Sequence, residues 1–228
     1  MSSSPNFRSP SRRRPPARLR LSSGRATAAV DHPFRQLIDQ VRPWVDRGLA
    51  RHLDGLASRA GQYDVEPTVL ALRDLVMRGG KRFRAGLVVA AYRGVRPRAK
   101  LEPAIDAAVA IELLHAYLLV QDDWMDGDRT RRGGPSVHAA LAHQYGRAYL
   151  GDVSAIISSD FGWGLAVQAL SRAAVSAPRV VRALQVLCSA HEDVLVGQQL
   201  DVLARAPDVE TMHALKTESY TVRAPLLL

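Results

Sequence analysis

The stretch AAVAIELLHAYLLVQDDWMD, residues 107–126, decides the fold class of this chain. From Ala107 to Val120 it is apolar throughout, except where Glu112 and His115 interrupt it. A run of this length, without the alternation of a half-buried strand, predicts a helix that is buried on all sides. We therefore expect a helical protein whose central helix ends in a group of carboxylates.

The chain has the same helical character from residue 32 onward. Glycine and proline lie mostly between apolar periodic segments, and no stretch alternates in the manner of a strand. Pro43 should kink or split the first helix, because proline removes a helical hydrogen bond. The predicted fold is all-α, a bundle of long, largely antiparallel helices. The predicted helices cover residues 32–57, 67–77, 81–95, 103–126, 135–148, 152–175, 178–205 and 208–222, with a polar loop at 127–134.

Positive charge is concentrated at the start of the chain. The 228 residues have a formal net charge of +9, and residues 1–30 contain seven arginines and no acid, so that subtracting seven leaves +2 for residues 31–228. The serine, arginine and proline of this segment predict a disordered basic tail, followed by one helical domain. An organelle transit peptide or an arm for nucleic acid or anionic membranes are the alternatives. Because only the tail supports nucleic-acid binding, no nucleic-acid partner is expected.

Two features bear on the location of the protein. Cys188 is the single cysteine, so no internal disulfide can form and a reducing, cytoplasmic compartment is expected. Its apolar neighbours predict that the thiol is buried. The strongly apolar runs are shorter than the roughly 18 residues of a membrane span, so no transmembrane segment is expected. Targeting to an organelle through residues 1–30 is the alternative location.

Three aspartates end the central apolar run. Asp122 and Asp126 are four residues apart and therefore share one face of a helix, with Asp123 between them. Two carboxylates one turn apart form a hard oxygen site that suits Mg²⁺, which also shares oxygens with a diphosphate. A helix C-terminus favours cations, so these acids do not stabilise the helix. A solvated polar helix end is the alternative interpretation.

Two basic segments lie on either side of the acidic motif. The segment Gly79-Gly80-Lys81-Arg82-Phe83-Arg84 precedes a helix, where backbone N–H groups and the helix dipole attract an anion. Lys81 and Arg84 are three residues apart and are predicted to share a helix face. The segment Arg131-Arg132-Gly133-Gly134 adds two guanidiniums that fit a phosphate group. The pattern predicts a site for two anionic head groups with apolar tails, although a solvated basic turn is the alternative for the first segment.

These segments, in this order, resemble the trans-isoprenyl diphosphate synthases. The resemblance extends over residues 32–228 and includes the later strings Gly197-Gln198-Gln199-Leu200-Asp201 and Lys216-Thr217. It implies a magnesium-dependent prenyltransferase that joins isopentenyl diphosphate to an allylic diphosphate, and it implies a homodimer. In that reaction the allylic diphosphate departs, the double bond of isopentenyl diphosphate attacks the carbocation, and a proton is lost in a site that excludes water.

The resemblance also implies a role for each matching residue. Asp122 and Asp126 would bind Mg²⁺ ions that bridge to the allylic diphosphate, and these two residues, Asp123 and Lys216 are the implied catalytic group. The implied substrate contacts are Lys81, Arg84, His115 and Arg132 for isopentenyl diphosphate, Arg131, Lys216 and Thr217 for the allylic diphosphate, and Gln198 and Asp201 for the cavity near the metal.

The length of the product is implied by two residues before the acidic motif. Tyr117 and Leu118 match the positions that form the floor of the product cavity in the family. A bulky Tyr117 would stop a growing chain, and the acidic motif carries no insertion. Both features resemble short-chain enzymes, which make farnesyl or geranylgeranyl diphosphate.

The end of the sequence departs from the family. Family members continue past the position of Leu228 with a second Asp-rich motif that this sequence lacks, so a C-terminal truncation is expected. One hypothesis is therefore a synthase represented by a partial chain, and another is a non-catalytic remnant or binding subunit that pairs with a full-length synthase. A class I terpene cyclase shares the Asp-rich motif, but it has no second diphosphate for the basic segment and His115 to hold.

Overall fold

The computed structural model of the chain describes residues 32–205 and 208–228. The predicted disordered tail and the domain boundary that follows it lie outside or at the edge of these residues, and both stay predictions. The elements in chain order are α1 (Pro33–Ala60), a short 3₁₀ helix (Gly61–Tyr63), α2 (Glu66–Met77), α3 (Phe83–Val95), α4 (Glu102–Met125), β1 (Thr130–Arg131), β2 (Gly134–Pro135), α5 (Val137–Tyr145), α6 (Ala148–Ser171), α7 (Ala177–Val202), α8 (Val209–His213), a π-helical segment (Ala214–Arg223) and α9 (Ala224–Leu227). The predicted all-α fold is confirmed.

Prolines mark where several helices begin. Pro67 and Pro103 lie in the first turns of α2 and α4, where a missing N–H breaks no helical hydrogen bond. Pro43 lies inside α1, which continues through it, so of the two predicted effects the split does not occur and the kink stays a prediction. Residues of α1 on both sides of this proline are buried, among them Val41 and Val45, and their packing favours a continuous helix.

Helix α4 is the centre of the bundle. It packs against α6, α3 and α1, and every side chain from Ala107 to Leu114 is buried. This burial on all sides confirms the prediction made from the apolar run. Because α4 is enclosed by other helices, the groups at its C-terminal end are held in place by the core.

Helices α4 and α6 are the two described helices that are long and apolar enough to cross a membrane, by length and composition alone. The core helix of a folded protein meets the same criterion, and 67% of the apolar window of α4 is buried inside the protein. The two helices also pack against each other.

Several local expectations differ from the structure. The predicted loop at 127–134 contains the first strand of a small antiparallel hairpin, in which β1 pairs with β2. Helix α5 ends at Tyr145 and is capped by Gly146, whose φ of +66° is open to glycine, and α6 begins at Ala148, earlier than predicted. Cys188 is exposed, so the prediction of a buried thiol is wrong. The buried face of α7 is formed by other residues, including Leu187 and Ala190.

A buried ion pair explains why Glu112 interrupts the apolar run of α4. Arg82, which is 3% exposed, donates to Glu112 Oε2 at 3.2 Å, to Asp46 Oδ1 at 2.8 Å and to the carbonyl of Val76 at 3.0 Å. The second oxygen of Glu112 accepts the backbone N–H of Ala85 at 3.2 Å. These contacts join α1, α3 and α4 beside the loop that carries Lys81.

We predict that Glu112→Ala lowers the free energy of unfolding by about 3 kcal/mol or more, because it leaves the buried Arg82 guanidinium without its buried partner. The measurement is urea unfolding followed by circular dichroism. The control is Asp54→Ala, which removes the exposed pair between Asp54 and Arg73 and should cost less than about 1 kcal/mol. Equal costs for the two variants would contradict a structural role for Glu112.

Candidate active site

The acidic motif lies in the last turn of α4. The backbone N–H of Asp126 donates to the carbonyl of Asp122 at 2.9 Å, so the helical turn continues through Asp126. The two carboxylates therefore project from one face, as the spacing predicts. Asp122 is half-buried and Asp126 is exposed, which leaves both open to a ligand.

Asp123 points in a different direction, into the protein. It is fully buried, and its Oδ1 accepts Arg131 Nε at 2.6 Å. Its Oδ2 is buried and accepts no hydrogen bond from the described residues. Burial raises the pKa of Asp123, the nearby Arg131 opposes this rise, and the negative charges of Asp122 and Asp128 add to it. Asp123 thus connects α4 to the hairpin, and its catalytic role stays a prediction.

A cavity of about 200 Å³ lies beside the acidic motif, between α4, α7 and the π-helical segment. We call it the acidic cavity. Its apolar wall consists of Leu118, Leu119, Met125, Val194 and Leu195, and its polar wall consists of Gln121, Asp122, Gln198, Lys216, Thr217 and Tyr220. The structure thus brings residues from three separate sequence motifs together in one cavity. One side of this cavity is apolar, and the other side is polar and charged.

Lys216 is the cation of the acidic cavity. Its Nζ lies 2.6 Å from Asp201 Oδ2 and 3.7 Å from Asp122 Oδ1. Burial lowers the pKa of Lys216, but the hydrogen bond to Asp201 and the charges of Asp122 and Asp126 outweigh burial and leave the pKa above its ordinary value. The amine is therefore a fixed positive charge at neutral pH.

A glycine permits the contact between α7 and the segment that carries Lys216. A Cβ atom on Gly197 would lie 2.9 Å from the backbone nitrogen of Lys216, which is too close for two such atoms. Gly197 opens the string that also contains Gln198 and Asp201. Glycine at this position therefore allows the close approach that brings Lys216 to Asp201.

A second group of charged residues lies on the other side of Tyr220. We call Arg84, His115, Arg131 and Arg132 the basic cluster. Arg84 donates to Thr221 Oγ1 at 2.7 Å, and its guanidinium lies 4.4 Å from the centre of the Tyr220 ring. Its Nε is buried and has no hydrogen-bond partner in the part of the chain that the structure describes. This donor is therefore left unsatisfied by the part of the chain that the structure describes.

Arg132 lies at the tip of the hairpin, where its φ is +53°. Its Nη1 donates to the carbonyl of Leu75 at 3.2 Å. Burial lowers the pKa of Arg132, and so does the neighbouring Arg82, whereas Glu112 acts in the opposite direction. Among the described residues no carboxylate lies within ion-pair distance of Arg132 or Arg84. The cluster therefore has positive charge that the protein itself does not neutralise.

His115 lies among these cations. Burial lowers the pKa of His115 well below its ordinary value, and the positive charges of Arg84, Arg132, Arg82 and Arg131 lower it further. The imidazole is therefore neutral at pH 7. Its Nδ1 lies 3.5 Å from the hydroxyl of Tyr220.

Two predicted site residues are placed apart from these groups. Lys81 is exposed and precedes α3, which begins at Phe83, so the prediction that Lys81 and Arg84 share a helix face is wrong. Tyr117 is buried, and its hydroxyl lies 3.0 Å from Nε2 of His191 on α7. It is not among the residues that line the acidic cavity, whereas Leu118 is.

The sequence analysis missed Tyr220, Thr221 and Arg78. Tyr220 borders both the acidic cavity and the basic cluster, and Thr221 holds Arg84. Both lie about one helical turn after Lys216-Thr217, so the helical spacing could have placed them near that motif. Arg78 contacts the hairpin across 53 and 57 positions of sequence, and no local pattern indicates a contact over that separation.

The donor set at the end of α4 suits a magnesium ion. Residues 32–205 and 208–228 contain no group of three or more histidine, cysteine, aspartate or glutamate side chains that could hold a metal together. Mg²⁺ is commonly bound by one or two carboxylates, with water and phosphate oxygens completing its shell. The paired carboxylates of Asp122 and Asp126, beside an open cavity, fit that pattern.

Comparison with known proteins identifies the family. The model of the polyprenyl synthetase family matches residues 67–228. The geranylgeranyl diphosphate synthase of Methanosarcina mazei is 33% identical over 150 residues, which are 66% of this chain and 41% of that enzyme. The farnesyl diphosphate synthase of Haemophilus influenzae is 28% identical over 201 residues, which are 84% of this chain and 63% of that enzyme. The chain thus spans about two fifths to two thirds of the length of these relatives.

Solved structures show the same similarity. A geranylgeranyl pyrophosphate synthase from Corynebacterium glutamicum, complexed with isoprenyl diphosphate and magnesium, superposes with a TM-score of 0.71 at 26% identity, covering 86% of this chain and 59% of that one. An FPP/GFPP synthase from Zymomonas mobilis superposes with a TM-score of 0.70 at 29% identity, covering 85% and 70%. The fold, the order of the motifs and the family match agree, and the chain belongs to the polyprenyl synthetase family.

Proposed function

We propose that the chain is a magnesium-dependent prenyltransferase that condenses isopentenyl diphosphate with an allylic diphosphate. The observation that carries the proposal is the arrangement of two charged sites on either side of Tyr220. One is a basic cluster with unneutralised arginines, and the other combines a carboxylate pair with Lys216 and an apolar wall. Two diphosphate substrates with apolar tails need such a pair of sites. Relatives named geranylgeranyl and farnesyl diphosphate synthases support the same activity.

The basic cluster is the proposed site for isopentenyl diphosphate. Arg84 and Arg132 lack carboxylate partners among the described residues. Burial takes water away from their guanidiniums, and an anion that binds both would replace the lost interactions. The neutral His115 can donate one hydrogen bond to the same diphosphate. Lys81, at the exposed edge, would add charge as the substrate enters.

The acidic cavity is the proposed site for the allylic diphosphate. Asp122 and Asp126 would hold magnesium, which when bound neutralises charge on the departing diphosphate. Lys216, kept beside the cavity by Asp201, would bind the same diphosphate directly. Gln198 and Thr217 of the cavity wall are proposed to assist there. Arg131, the member of the basic cluster that pairs with Asp123, does not line the acidic cavity and is proposed to contact the same diphosphate from the basic cluster.

The apolar wall of the acidic cavity is proposed to protect the reacting tail of the allylic substrate. The allylic cation that forms when diphosphate departs would be hydrolysed by water, and leucine and valine side chains exclude water from it. The bound isopentenyl diphosphate then attacks through its double bond and loses a proton. Leu118 in this wall and the buried Tyr117 that precedes it in α4 are the proposed limits on product length, which gives farnesyl or geranylgeranyl diphosphate.

We also propose that the chain forms a homodimer. Helix α6 exposes apolar side chains at positions that share one face, including Tyr149 at 75% exposure, Ile156 at 39% and Ile157 at 47%. An apolar face of this kind is typical of a protein interface.

A cytoplasmic location is part of the proposal, and comparing the cellular distribution of the chain with and without residues 1–30 would distinguish it from organelle targeting.

We predict that the wild-type chain, with Mg²⁺ and an allylic diphosphate, transfers radiolabel from isopentenyl diphosphate to a longer lipid diphosphate. Asp122→Asn and Asp126→Asn should each lower kcat about a hundredfold or more, because each removes a metal ligand. Asp64→Asn, on an exposed turn, is the control and should retain wild-type activity.

Other results of this assay would overturn the proposed function. Diphosphate binding without turnover in the wild type would indicate a non-catalytic binding subunit. Conversion of the allylic substrate to a cyclic hydrocarbon without consumption of isopentenyl diphosphate would indicate a terpene cyclase.

We predict that Tyr117→Ala lengthens the product, because it removes a large buried ring that packs against Trp163 and His191 next to Leu118 in the sequence. Chromatography of the dephosphorylated products should show a shift by one or more isoprene units. The control is Tyr63→Ala, which removes an exposed tyrosine distant from Tyr117 in the sequence. It should leave the product distribution unchanged. A Tyr117→Ala enzyme with the wild-type product distribution would show that this residue is not the floor.

We predict that Ile157→Glu converts the dimer to a monomer in light scattering, since it buries a charge in the apolar face of α6. Val181→Glu, at an exposed position of α7, is the matched control and should remain dimeric. A wild-type chain that is monomeric at all concentrations would refute the dimer.

A further inference from the structure

Arg78 connects two basic segments that are far apart in the sequence. It caps α2 directly before Gly79, and its side chain is only 16% exposed. Its Nη1 donates to the carbonyl of Arg131, and its Nη2 donates to the carbonyl of Pro135 at 2.7 Å. Its Nε lies 3.0 Å from Asp74 Oδ2. One guanidinium thus holds both strands of the hairpin.

The hairpin needs such contacts to keep its shape. Each of its strands has two residues, and an isolated hairpin of this size is not stable in water. Arg131 is also held through Asp123, but the side chain of Arg132 at the tip makes a single hydrogen bond within residues 32–205 and 208–228, from its Nη1 to the carbonyl of Leu75. The position of Arg132 therefore depends on how firmly the hairpin backbone is anchored.

Two glycines show how closely these segments pack. A Cβ atom on Gly134 would lie 2.3 Å from Nη1 of Arg78, so a larger residue at this position would force the guanidinium to shift. A Cβ atom on Gly80 would lie 3.2 Å from Nη2 of Arg132. The loop after α2 and the hairpin therefore form one packed unit, with Arg78 between them.

We propose that Arg78 is a positioning residue for the basic cluster. It locks the hairpin to the loop after α2 and thereby orients Arg132 toward the diphosphate of isopentenyl diphosphate. Each nitrogen of the Arg78 guanidinium donates to Asp74 or to a hairpin carbonyl, so we assign it the role of holding the hairpin and place the contact to substrate on Arg132. The proposal rests on the proposed function, because it assigns Arg78 to that same diphosphate site.

The geometry requires arginine at this position. A guanidinium is a planar fork that can donate to two carbonyls at once, whereas an ammonium group is a single point charge. Lysine at position 78 would keep the charge near the basic cluster but would hold only one strand of the hairpin. The two effects of Arg78, long-range charge and backbone anchoring, can therefore be separated.

The test measures binding of inorganic pyrophosphate, without metal, by calorimetry. Arg78→Met should raise the Kd about tenfold, as when an outer partner of a binding residue is lost, and Arg78→Lys should also weaken binding although it keeps the charge. Gly134→Ala, which crowds Arg78 without changing any charge, should weaken binding in the same direction. The control is Arg73→Met on the same helix, whose side chain pairs with the exposed Asp54, and it should bind like the wild type.

Two further readouts report on the backbone and on catalysis. Hydrogen exchange of residues 129–136 should be faster in Arg78→Met than in Arg73→Met. In the prenyl-transfer assay, KM for isopentenyl diphosphate should rise in Arg78→Met while kcat changes little, since the chemical groups are intact.

Each other outcome overturns the proposal. Wild-type affinity in Arg78→Lys would mean that charge alone matters, and unchanged hairpin exchange or unchanged affinity in Arg78→Met would remove the positioning role. If the wild type binds pyrophosphate and only the variants give these results, the role of Arg78 is refuted but the proposed function stands. A wild type that binds no pyrophosphate would overturn the proposed function and the role of Arg78 together.

Discussion

The ion pair between the buried Asp123 and the half-buried Arg131 is the contact on which the arrangement of charges depends. It connects the end of the central apolar helix to the hairpin. Because a buried carboxylate without a partner is costly, the pair fixes where the hairpin lies. Of the neighbouring acids, Asp122 lines the acidic cavity beside Lys216, and Asp126, one turn later, is exposed. Asp123 therefore has a structural contact, whereas Asp122 and Asp126 can bind a ligand.

The positive side of the site depends on a similar division of roles. Arg82 is neutralised by Asp46 and Glu112 and holds three helices together. Arg84 and Arg132 have no such partners among the described residues, and their charges act on the buried His115. Holding like charges close together is unfavourable, so the folded protein stores a repulsion that an anion relieves. A diphosphate is the kind of ligand that this arrangement favours.

Much of the fold could be predicted from the sequence, because helix periodicity and proline positions are local signals. The central helix and the start of α2 within one residue of Pro67 followed from them. The shared face of Asp122 and Asp126 is local in the same way. The exposure of Cys188 and the anchoring of the hairpin by Arg78 could not be read from the sequence, since they depend on which segments pack together in three dimensions. Lys81 was misplaced because the helix begins two residues after it.

The most direct test of the account is the number of pyrophosphate ions that one chain binds with and without Mg²⁺, measured by calorimetry. The account predicts one pyrophosphate in the basic cluster without metal and a second in the acidic cavity only when Mg²⁺ is present. The second should be absent from a variant in which Asp122 and Asp126 are both asparagine. A stoichiometry that Mg²⁺ leaves unchanged, or that the double variant retains in full, would contradict a metal-dependent diphosphate site at the end of the central helix.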